Sequence, residues 1–174
     1  MKNLTKVFAV AIAMFGFATS SFAQETATAT ASATIVTPIS ITKTIDLNFG
    51  DVAVQSATDG TVVLSPLGVR EAFLGATLPA SATTSVAAAS FDVAGQNSYT
   101  YDITLPTSCV ITDPVSAEEM TVSDFTCSIV VTEGALSAEG TETFTVGATL
   151  AVTGGQADGD YTNAAAFDVI VNYN

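Results

Sequence analysis

The chain contains no histidine, and only four of its 174 residues are lysine or arginine. Without histidine there is no Ser-His-Asp or Cys-His mechanism, and the usual zinc sites are gone. The few positive charges stand against 17 aspartates and glutamates, a formal net charge of −13. Two of the four bases, Lys2 and Lys6, fall in a segment expected to be removed, which leaves two bases against 17 acids, or −15. Such a surface repels nucleic-acid phosphates and anionic lipid, so no nucleic-acid partner is expected. Charged residues make up 12% of the chain and hydrophobic residues 48%. That is too apolar for a solvating tail and too sparse in charge for a coiled coil. No G-x-S-x-G elbow, P-loop or G-x-G-x-x-G occurs. The expectation is a single non-enzymatic domain with no cofactor, no metal and no catalytic residue.

Long hydrophobic runs are also missing, with one exception at the start. Lys2 and Lys6 precede an apolar run over residues 7–17, and Ser21 and Ala23 then supply small residues before Gln24. That is the plan of a cleavable secretory signal over residues 1–23. The run is too short for the ~20 residues a spanning helix needs, so no membrane span is expected. Gln24 in place of a cysteine argues against a lipoprotein. The chain is read as exported, to the periplasm, the cell surface or the medium.

Cysteine is scarce as well. Cys109 and Cys127 are the only two, with 17 residues between them. An exported even pair in an oxidising compartment predicts one intrachain disulfide, Cys109 to Cys127, worth ~3 kcal/mol by loop entropy. Two buried free thiols are the alternative.

What the chain does have is period-2 alternation. Phe167, Val169, Val171 and Tyr173 alternate with Asp168, Ile170 and Asn172. Phe144, Val146, Ala148, Leu150 and Val152 alternate with small and hydroxyl residues. Phe125, Cys127, Ile129 and Val131 repeat the pattern, as do Tyr99, Tyr101, Ile103 and Leu105. Shorter runs surround Ile39 and Ile41, Ile45 to Phe49, Thr61 to Leu64, and Phe91 and Val93. Their β-branched and aromatic content suits a half-buried pleated surface. Gly, Asn, Asp and Pro turns separate them. The expected fold is all-β, an immunoglobulin-like antiparallel β-sandwich of about 8–10 strands occupying residues 37–174. The Ala-rich stretch 81–90 is ambiguous between helix and strand.

Residues 25–36 read ETATATASATIV, small residues in strict alternation. One reading of this arm, residues 24–36, is a flexible leader. The other is a strand that pairs with the sheet edge of another subunit. Acidic residues are otherwise scattered. Asp158 and Asp160 flank Gly159 and could offer oxygens to calcium, but a β-turn explains them equally and an EF-hand's remaining ligands are absent. Asp113, Glu118 and Glu119 are a weak match to paired catalytic acids. Lys43 and Arg70 read as surface charges. Tyr99 and Tyr101 could face a glycan, and alternation more simply puts them on one strand face.

Several of these segments together resemble a known family. They are residues 33–43 (ATIVTPISITK), 47–50 (LNFG), 61–66 (TVVLSP), 91–95 (FDVAG), 101–106 (YDITLP), 144–150 (FTVGATL), 159–162 (GDYT) and 167–173 (FDVIVNY). In this order they resemble the bacterial domain-of-unknown-function family 4402. The resemblance implies an exported single-domain protein of a Gram-negative bacterium and carries no functional residues. A looser resemblance is to chaperone–usher pilin subunits, through the alternating arm and the penultimate aromatic Tyr173. It implies a structural or adhesive surface protein, in its sharper form a fimbria-like subunit that self-associates by strand pairing or binds other surface proteins. A secreted or periplasmic glycan-binding module is the alternative.

Overall fold

The computed structural model describes residues 24–80, 84–129 and 133–174. The signal expected over residues 1–23 lies outside the described residues, as do 81–83 and 130–132. The chain divides into two compact units, Met1–Ile35 and Val36–Asn174. In the first, residues 24–35 carry no strand and are exposed, Ile35 to 96%. The second holds all the strands found among the described residues.

Those strands are β1 (Ser40–Ile45), β2 (Ala53–Val54), β3 (Gly60–Leu64), β4 (Arg70–Leu74), β5 (Ala76–Thr77) and β6 (Ala89–Ala94). They continue with β7 (Thr100–Thr104), β8 (Ser108–Thr112), β9 (Glu119–Cys127), β10 (Glu133–Ala135), β11 (Thr141–Val152) and β12 (Ile170–Tyr173). No helix occurs among the described residues, and every pairing is antiparallel. The fold is all-β. The twelve strands among the described residues exceed the 8–10 expected because β2, β5 and β10 are two or three residues long, too short to alternate visibly. The Ala-rich stretch forms no helix in its described part and runs into β6, whose inward residues Ala89, Phe91 and Val93 need a flat strand to face the core.

The long strand β11 organises the seven-stranded sheet, with order β1-β6-β11-β3-β4 and β9 and β8 joined on β11's other edge. Along one edge β11 pairs first with β6 and then with β3. Gly147 sits at the switch. A Cβ there would lie 2.1 Å from the carbonyl oxygen of Leu64, so only glycine lets the incoming chain pass. A three-stranded sheet, β10-β7-β12, lies against the first half of this arrangement. Between them sits one core cluster. Ala89, Phe91, Val93, Phe144 and Val146 face Tyr101, Ile103, Leu136 and Val171. Phe91 and Phe144 stack with ring centres 5.5 Å apart. Fully burying a side chain of this size contributes up to about 3 kcal/mol.

A second cluster gathers Val62, Leu64, Val122, Ala148, Leu150 and Val152 with Phe49 and Ala76. In β9 the inward residues change parity, from Met120 and Val122 to Phe125 and Cys127. A bulge at Asp124, whose φ is 49°, takes up the extra residue opposite β11. Without it, every later side chain would face the wrong way. Phe144, Val146, Leu150 and Val171 are buried as alternation predicts. Phe167 and Val169 are only half-buried because they precede β12 and pack on the core's margin.

Candidate docking edge

The chemical candidates read from the sequence are used for structure. Cys109 stands opposite Val122 and packs on the second cluster, while Cys127 ends β9 and packs on the first. Cys127 lies five positions along β9 from Val122, one of them taken up by the bulge, which leaves about 13 Å of strand between the two sites. A disulfide holds its Cα atoms about 5.5–6 Å apart. The disulfide expected from the sequence is therefore not formed, and both cysteines are free thiols. Burial pushes both thiols up from the ordinary cysteine range.

Asp158 and Asp160 are exposed on the loop between β11 and β12. Among the described residues no group of three or more acidic, cysteine or histidine side chains is placed to hold a metal. Glu118 staples that loop. Its Oε2 accepts from Gln156 Nε2 at 2.8 Å, from Ala157 N at 2.9 Å and from the Tyr161 hydroxyl at 3.3 Å. Asp113 is 2% exposed and caps its own turn, accepting from Ser116 N at 2.6 Å. Hydrogen bonds from Ser116 hold its carboxyl below the usual range. Arg70 Nη1 donates to the carbonyls of Phe49 and Asp51 and ties β4 to the loop after β1.

Tyr101 is the second residue of β7 and has no exposed surface, while Tyr99 is exposed just before the strand. The Tyr101 hydroxyl crosses between the sheets and donates to Glu142 Oε2 at 2.8 Å. The same oxygen accepts from Ala135 N at 2.9 Å. Burial first, then the Glu142 carboxylate, raise the Tyr101 hydroxyl well above the ordinary tyrosine range.

The sheet margins differ from one another. Among the described residues five strands end the two larger sheets: β1, β4, β8, β10 and β12. An open edge invites pairing, and natural edges are blunted by charge, bulges, shortness or cover. β1 carries a bulge after Lys43, with that lysine on the inward face opposite Phe91 and paired to Asp46. β4 places Arg70 on its inward face opposite Leu64 and ends at Leu74 with φ 58°. β8 is covered by the bridge from Thr112 to Thr162 and by Asn163 Nδ2 on Val110 O. β10 has three residues. β12 reads Ile-Val-Asn-Tyr, with no charge, proline or bulge. Asn174 N donates to Thr100 O, so the even residues of this ladder bond to β7. The main-chain N–H and C=O of Val171 and Tyr173 face the opposite edge.

On that side the two larger sheets both end, one at β1 and one at β12, which come within 8 Å at Cα. Tyr173 crosses this seam. Its hydroxyl accepts from Gln96 N at 2.6 Å and donates to Thr37 O at 2.8 Å. Gln96 Oε1 in turn accepts from Thr37 N at 3.1 Å. Gly95 makes the crossing possible, because a Cβ there would lie 2.2 Å from the Tyr173 hydroxyl oxygen. Tyr99 packs edge-on against the Tyr173 ring at 5.6 Å.

Residues 39–173 match the family model described as Domain of unknown function (DUF4402). The chain belongs to this family. No curated protein and no solved structure matches it. The DUF4402 span runs from just before β1 to Tyr173 and so contains both margins of the seam and the whole second edge of β12. Residues 24–36 precede it. Alternation had pointed Tyr173 inward, but nothing in the sequence marked Gln96 and Thr37 as its partners, since both meet it only through the fold. Among the described residues no helix is long and apolar enough to cross a membrane.

Proposed function

We propose that this DUF4402 protein is an exported structural subunit of the bacterial cell surface, which self-associates when residues 25–36 of one copy add to the outer edge of β12 in another. The single observation that carries this reading is the contrast among the edges. Among the described residues β1, β4 and β8 are blunted by an inward charge, a bulge or a covering bridge, whereas β12 carries none of these and turns the main-chain groups of Val171 and Tyr173 outward. The arm supplies a matching strand. Its alternation is strict, it has no strand partner within its own chain among the described residues, and its 12 residues exceed the four of β12. Added strands are held by main-chain hydrogen bonds, with side chains setting specificity. Alanine and threonine bury little apolar area, so each contact is weak and reversible, and repetition along a filament strengthens it.

The test is light scattering of the mature protein, residues 24–174, beside a 37–174 truncation, together with microscopy of cells with and without the gene. The mature protein self-associates and the truncation remains a folded monomer. Two monomeric proteins and no surface polymer would overturn the reading, and a secreted ligand-binding module would take its place.

A further inference from the structure

We infer that Tyr173 sets the specificity of this docking edge by filling the β1/β12 seam from within its own chain, so that the seam accepts only a strand with small inward side chains from a second copy. The inference rests on the assembly reading above. A seam between two sheet margins is where an added strand meets the core, and an empty seam would call for large apolar residues on that strand. Here the phenol ring already occupies it. The ring leaves β12, packs on the first core cluster and reaches the end of β6, where its hydroxyl accepts from Gln96 N at 2.6 Å. It also holds the carbonyl of Thr37, three residues before β1, at 2.8 Å. Ile39, Ile41 and Val169 pack on the same cluster from the two margins.

The arm has the complementary character. Ala27, Ala29, Ala31, Ala33 and Ile35 share one face, and Thr26, Thr28, Thr30, Ser32 and Thr34 share the other. Four successive methyl groups fit against a seam that is closed and do nothing for one that is open. The single large residue, Ile35, comes at the end of the row.

The experiment changes the arm's inward face in the full mature protein. Ala29→Leu with Ala31→Leu is compared with wild type by sedimentation equilibrium, and with the same pair combined with Tyr173→Ala. The arm lies outside the strands, so the melting temperature of the monomer checks that the leucines leave the sandwich intact. The leucine pair weakens self-association by tenfold or more, and Tyr173→Ala restores a large part of it. If the seam were empty, each leucine would instead tighten the contact about tenfold through added burial. Tighter or unchanged association of the leucine variant overturns the inference while leaving assembly standing. A monomeric wild type overturns both.

Discussion

Replacing Tyr101 by phenylalanine removes one hydroxyl from a buried position and leaves the ring. In the native protein that hydroxyl donates to Glu142 Oε2 at 2.8 Å, tying β7 of the three-stranded sheet to β11 of the seven-stranded one. Hydrogen bonds to charged groups contribute about 1.5–3 kcal/mol. Glu142 is only half-buried and keeps its bond from Ala135 N, so water can replace the lost partner in part. The expected loss for Tyr101→Phe is therefore near the lower end, about 1.5 kcal/mol. Urea denaturation reads it as a lower midpoint with an unchanged m-value. The pH dependence gives a second signature. Burial and Glu142 raise the folded hydroxyl above its ordinary value of 10.0. Its contribution is fully present below pH 10. It falls as the unfolded chain ionises above that pH, by up to about 1.4 kcal/mol per pH unit. Both buried thiols act in the same direction, and the difference between wild type and Tyr101→Phe cancels them. The gap between the two proteins should close as pH rises past 10. A loss under about 0.5 kcal/mol, the size of ordinary surface changes, with parallel alkaline profiles would refute the reasoning.

Gly147→Ala drives a methyl into the Leu64 carbonyl and should cost about 3 kcal/mol or more, read as a lower melting temperature; a neutral result would mean the edge switch of β11 is not tight. Denatured, unreduced protein should titrate two thiols, because Cys109 and Cys127 lie on different core clusters; none would mean they pair. The Asp113 carboxyl is held below its ordinary value, so its contribution is present above pH 4 and is lost as pH falls through the lowered value. Asp113→Asn should flatten acid unfolding in that window, and an unaltered acid profile would show that the turn does not depend on the charge. Phe167→Ala should cost about 2 kcal/mol rather than the 3–5 of a fully buried ring, since Phe167 sits half-buried against Phe125 at 4.8 Å.

The strands that alternate cleanly were legible because one face is buried and the other solvated. β3, β6, β7 and β11 appear in the sequence nearly where they lie in the fold. β9 was read only in its second half, because the bulge at Asp124 breaks the parity that the eye follows. β4 and β8 were missed for a related reason. As terminal strands they alternate weakly, with Leu74 and Val110 exposed. The disulfide was inferred from compartment and count, neither of which contains distance. The register of β8 on β9 does contain it, and only folding reveals it. Residues of the seam are far apart in sequence, with Thr37, Gln96 and Tyr173 drawn together by three separate elements. A local pattern can aim one of them inward but cannot name its partners.

The claim that β12 receives a second copy's arm is tested most directly by amide hydrogen exchange at Val171 and Tyr173 across a range of protein concentrations. Their N–H groups face the unpaired edge, so in a dilute solution of residues 24–174 both exchange quickly. At concentrations where the protein self-associates both become protected, and in the 37–174 truncation they stay unprotected at every concentration. Association without a change in exchange at these two amides would contradict the account and move the contact to another edge.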